Sequence, residues 1–82
     1  MANLREELID LIAEEALIDK AKLVPGATLA DLGLDSVGVV SVVFAVEEKY
    51  GVEIAEDAFK DVNDFGSFLA VLEGVVETKR AA

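Results

Sequence analysis

The sequence predicts an all-α protein, a small antiparallel bundle of three main helices and one short one. Three observations carry that reading. Apolar residues step by three and four near both ends of the chain, residues that cap helices stand where those runs begin, and the valine-rich middle has a helix start, a helix-favouring tail and a glycine stop.

Helix one opens at Asn3, which has the spacing of a capping box with Glu6: the asparagine accepts a free helix N–H and the glutamate reaches back. Leu4, Leu8, Leu11, Ile12 and Ile18 recur at helical spacing while Glu7, Asp10 and Glu14 fall elsewhere, so an amphipathic helix is expected to about Asp19. From Lys20 to Asp35 runs a long loop with the only proline, in "VPGATLADLGLD". Loops of this length are usually functional or disordered, and Leu23, Leu29, Leu32 and Leu34 argue against disorder because they can pin the loop to a core.

The run "VGVVSVVFAV" is the hardest to place, since its valines have strand propensity. Three features outweigh that weak preference: an Asp35-Ser36 start suited to capping, the helix-friendly "AVEEKY" that continues without a breaker, and Gly51 placed to stop it. A run of about fifteen residues is also long for a strand. Wound as a helix, Val39, Val42, Val43, Val46 and Tyr50 form a core stripe, and Val37, Val40 and Phe44 form a second stripe rotated away from it, beside Ser36. An apolar strip that the core does not need has the look of a docking surface; the alternative is a bundle that buries this helix on two sides. Beyond it, "AEDAFKDVND" offers a short turn of helix around Asp57 to Asp61, with Phe59 and Val62 inward. The last helix is carried by Phe65, Phe68, Leu69, Leu72, Val75 and Val76, with Asn63 or Asp64 to cap it and Lys79-Arg80 near the negative end of its dipole.

Composition removes several functions. The 82 residues are expected to form one domain, 1–82, with a modest core and no room for a multi-residue catalytic cavity plus scaffold. Seventeen acidic against seven basic residues give a net charge of -10, which repels phosphate backbones and anionic membranes and favours partners with basic patches; nucleic acid is not expected. Val37 to Val46, interrupted by Gly38 and Ser41, is far short of the roughly 20 residues of a membrane span, so no membrane insertion is expected. The start "MANLREELIDL" turns acidic within a few residues, unlike a secretory signal, and a cytoplasmic location is expected. Without cysteine or histidine there is no disulfide, no zinc site of the usual kind and no Cys- or His-based relay. "DVNDFG", Asp61 to Gly66, starts like a calcium loop but has Phe65 at the fifth place and Leu72 at the twelfth, so capping explains it better and no metal is expected.

The stretch "LADLGLDSVGVV", with "FAVEEKYGVEIAEDAF" behind it, resembles the acyl carrier protein family, in which an Asp-Ser dipeptide opens the second helix of a four-helix bundle. The likeness covers most of the chain and joins the Gly-x-Asp-Ser core, the apolar helix, the Glu47-Glu48 pair and the "YGVEI" exit in the expected order. It implies a non-catalytic carrier. Ser36 would bear 4'-phosphopantetheine, joined from coenzyme A through a phosphodiester, and acyl intermediates would ride on its thiol as thioesters to enzymes of fatty acid, polyketide or related lipid biosynthesis. Asp35 would help the phosphopantetheinyl transferase recognise the site. The residues agree with this role on their own terms. A serine without a neighbouring base is a poor nucleophile, hence a handle rather than a catalyst, and a helix amino end favours a phosphate. An Asp-Ser pair alone does no more than cap a helix.

Departures from the family pattern bear on the partners. Members serving fatty acid synthesis usually carry acidic residues on the second helix near the serine, where this chain has Gly38 and Ser41. Close contact would lean instead on Val37, Val40 and Phe44, with Glu47 and Glu48 steering basic partners, which suggests a specialised rather than a housekeeping member. Gly38 after "DSV" is also similar to freestanding D-alanyl and aminoacyl carrier proteins. Three readings stay open: an acyl carrier charged by an acyl-loading ligase, an aminoacyl carrier charged by an amino-acid ligase, and a cofactor-free acidic helical module that holds a partner directly. A monomer is expected.

Overall fold

The computed structural model describes residues 3–81, which form three α-helices with two short 3-10 helices in the connections. Helix α1 spans Leu4–Ala16, α2 spans Ser36–Tyr50 and α3 spans Phe65–Ala81. Asn3 caps α1 as expected, its side-chain oxygen accepting the Glu6 N–H at 2.8 Å. The helix ends earlier than its apolar period suggests. Leu17 turns left-handed (φ 56, ψ 45), and the Ala13 carbonyl accepts both the Leu17 N–H and, at 3.0 Å, the Ile18 N–H. This closing turn folds Ile18 back against the core and leaves Asp19 to cap a 3-10 turn, Lys20–Lys22, by accepting from the Ala21 N–H at 3.0 Å.

The valine run is helical throughout. Gly51 at φ 64 stops α2, and the Glu47 carbonyl receives the N–H groups of Gly51 and, at 3.2 Å, of Val52. The one short helix expected around Asp57 to Asp61 is a 3-10 helix slightly earlier, at Glu56–Phe59, and the Phe59 ring lies 5.1 Å from that of Phe68. Of the two residues suited to cap α3, Asp64 does so, accepting the Ser67 N–H at 2.8 Å. Hydrogen bonds from Ser67, side chain first and backbone second, hold the Asp64 carboxyl below its ordinary value of 3.8.

Tyr50, the last residue of α2, reports how the helices run. Its hydroxyl donates to Glu7 near the start of α1 at 3.4 Å, and its ring sits 5.6 Å from the Arg80 guanidinium near the end of α3. Thus α1 runs antiparallel to both other helices. Burial, then the Glu7 carboxylate, pushes the Tyr50 hydroxyl above its ordinary value.

The core is built from Leu8 and Ile12 of α1, Val42 and Val46 of α2, and Phe65, Phe68 and Leu72 of α3, all wholly buried. Leu23 and Leu34 of the long loop are buried and Leu29 and Leu32 half-buried, so the leucines pin the loop as expected. Backbone pairing adds a second fastening: the Leu29 N–H donates to the Asn63 carbonyl at 2.9 Å and the Phe65 N–H to the Ala27 carbonyl at 2.8 Å. Among the described residues α1 packs along both α2 and α3, whereas α2 makes no comparable contact with α3.

Candidate functional site

Helix α2 begins where the long loop ends. Asp35 holds an extended backbone (φ -85, ψ -175), and its Oδ1 accepts the Gly38 N–H at 2.8 Å while its carbonyl accepts the Val39 N–H at 2.9 Å. Ser36 is the first helical residue and is exposed. Among the described residues no hydrogen bond claims the Ser36 or Val37 N–H, so two donors at the positive end of the dipole remain for an anion. A phosphate on Ser36 Oγ meets this geometry well.

A groove of about 510 Å³ runs from Ser36 between α2 and the connecting segments. Val39, Val40, Val43 and Phe44 form its α2 side; Leu29, Leu34, Ile54, Phe59 and Val62 face them, and Asp35 and Ser36 border it. The apolar lining suits the aliphatic stem of an arm and an apolar cargo. In the sequence Leu29 and Leu34 read as pins of the loop and Phe59 and Val62 as inward residues, and no spacing shows that they enclose a groove together with Ile54 and Ala55.

The outward stripe is where the helical wheel places it. Val37 is 72% exposed, Val40 51% and Phe44 64%, against 0% for Val42 and Val46 on the opposite side of the same helix. The two acids at the far end part company. Glu48 is exposed, but Glu47 is half-buried and its Oε2 accepts the Ile54 N–H at 2.8 Å. Gly38 packs closely: a Cβ there would lie 3.3 Å from Leu34 Cδ2 and 3.5 Å from Asp35 Oδ1, so the end of the leucine side chain would have to give slightly.

No helix among the described residues is long and apolar enough to cross a membrane. What the fold and this end of α2 define is a small helical protein that presents an exposed serine hydroxyl at the capped start of a helix. Comparison with known proteins gives the same class. Residues 6–72 match the family described as "Phosphopantetheine attachment site". The chain is 37% identical over 69 residues to the acyl carrier protein of Helicobacter pylori strain G27, covering 83% of this chain and 88% of that one. Its likeness to the acyl carrier protein of strain HPAG1 has the same extent, and that of strain ATCC 700392 / 26695 is 35% identical over 69 residues with the same coverage. The chain belongs to the acyl carrier protein family, whose prosthetic group is 4'-phosphopantetheine and whose members are carriers rather than catalysts.

Proposed function

We propose that Ser36 is the attachment point of 4'-phosphopantetheine and that the protein carries acyl groups between partner enzymes. The observation that carries this reading is the exposed Ser36 hydroxyl at the capped start of α2, with free N–H groups beside it and an apolar groove adjoining it. Ser36 Oγ would form the phosphodiester, the Ser36 and Val37 N–H groups would face its charge, and Asp35 would hold the helix start in place for the transferase. When bound, the group supplies a thiol on a flexible arm that carries an acyl chain as a thioester. The groove beside Ser36 shelters the first part of an apolar chain. No residue of this chain is asked to catalyse.

Docking uses Val37, Val40 and Phe44 as the apolar centre and Glu48, with the charge of Glu47 behind it, as the acidic rim, which fits acyl-processing enzymes with apolar patches bordered by basic residues. An acyl cargo is favoured over an aminoacyl one because the chain is similar to acyl carrier proteins and because Gly38 packs closely against Leu34. The reading places the protein in the cytoplasm as a monomer, and the uncharged first part of α2 marks it as a specialised member.

The test begins with the apo chain, magnesium, coenzyme A and a promiscuous phosphopantetheinyl transferase. One mass increment of the arm is expected, absent in Ser36→Ala; a chain that stays unmodified supports the cofactor-free module instead. The holo protein is then offered to an acyl-loading and to an amino-acid ligase, and charging by the amino-acid ligase alone would overturn the acyl assignment.

A further inference from the structure

Glu47 holds more of the molecule than its place in a surface acid pair suggests. The segment 52–55 leaves α2 without regular structure, and the hydrogen bonds that tie its backbone to α2 both end on Glu47: the Val52 N–H on its carbonyl at 3.2 Å and the Ile54 N–H on its carboxylate at 2.8 Å. Among the described residues no other hydrogen bond makes that connection. Val52 is buried and needs little further support, but Ile54 is only half-buried and Ala55 is exposed. A hydrogen bond to an ionised acceptor is shorter and stronger than one between neutral groups, so the carboxylate dominates the fastening of Ile54.

That fastening sits between two depressions. Phe44, Glu47, Ile54 and Ala55 line both the groove of about 510 Å³ that borders Ser36 and a wider one of about 990 Å³ on the side of Glu48 and Glu53. Ile54 and Ala55 are thus a wall common to both, and Glu47 ties that wall to α2. We propose that Glu47 is a positioning residue that fixes this wall and so limits the length of alkyl chain that the groove beside Ser36 can shelter. The inference rests on the reading that cargo on Ser36 enters that groove, and it gives the groove a closed end. With the wall fixed, a short chain is enclosed and a long one has its distal carbons in water, where their exposure is unfavourable. With the wall released, the two depressions merge and the distinction between short and long chains fades.

The first measurement needs no cargo. Amide hydrogen exchange in the apo protein should show the Ile54 amide exchanging about tenfold faster in Glu47→Ala, with the Leu8 and Leu72 amides of the core unchanged. Glu47→Gln, which keeps an acceptor oxygen, should retain most of the protection, and Glu48→Ala all of it. If Glu47→Ala loosens the whole fold, Glu47→Asp, with the charge kept and the reach shortened, serves in its place. The second measurement loads Ser36 with butanoyl- and dodecanoyl-4'-phosphopantetheine from the corresponding acyl coenzyme A, with release of adenosine 3',5'-bisphosphate, and follows cleavage of each thioester by hydroxylamine. In the wild-type protein the butanoyl thioester should be cleaved several-fold more slowly than the dodecanoyl one, and Glu47→Ala should bring the two rates together. Unchanged Ile54 exchange in Glu47→Ala overturns the proposal, as does faster exchange with the difference between chain lengths intact. If both wild-type thioesters react as fast as the free pantetheine thioesters, the groove shelters nothing, and the sheltering reading falls together with its length limit, whatever Ile54 does.

Discussion

The two sides of α2 are made of the same residue type and do different work. Val42 and Val46 are wholly buried in the core, while Val37, Val40 and Phe44, turned away by the helical period, stand in solvent at 72%, 51% and 64% exposure. The burial that stabilises the bundle is confined to the first side. The second gains nothing for the fold, yet it adjoins Ser36 and runs along the groove beside it. The net charge of -10 favours partners with basic patches at the molecule that carries this strip. Stability and recognition are thereby written on opposite faces of one helix.

Substitutions can break that division or sharpen it. The largest effect on folding belongs to the inner face: Val46→Ala should cost about 2 kcal/mol, read as a melting temperature lower by roughly 10 °C, with the rate of modification at Ser36 preserved below the transition. Leu17→Gly tests an exposed apolar residue away from the strip. Leu17 is 91% exposed and left-handed at φ 56, so glycine should raise stability by about 0.5 kcal/mol and leave acyl loading unchanged. Phe44→Ala should shift stability least, within about 0.5 kcal/mol, and yet lower kcat/KM of the loading ligase about tenfold. A large fall in melting temperature for Phe44→Ala would place its ring in the core and abolish the distinction between the faces.

Much of this was legible in the residues. The helical winding of the valine run followed from Asp35 at one end and Gly51 at the other, because caps are local and their chemistry does not depend on the rest of the fold. The two stripes followed from the period alone. The end of α1 did not, since a left-handed Leu17 has no sequence signal of the kind a glycine gives, and the apolar spacing carried on to Ile18 across the turn. The groove was illegible for a different reason. Leu29, Leu34, Ile54 and Phe59 come from separate segments, and the space they enclose with α2 is decided only by the packing. Glu47 shows the same limit: beside Glu48 it reads as one of a surface pair, and its bond to a backbone N–H seven residues on cannot be inferred from spacing.

Everything functional here turns on which serine carries the arm. The direct measurement is intact and fragment mass spectrometry of the protein purified from its own cells, with the modified residue mapped. The account predicts the mass of 4'-phosphopantetheine, with or without an acyl group on its thiol, on the fragment containing Ser36 and on Ser36 itself. The same mass found on Ser41 or Ser67, or a chain that is unmodified in every preparation, would contradict it.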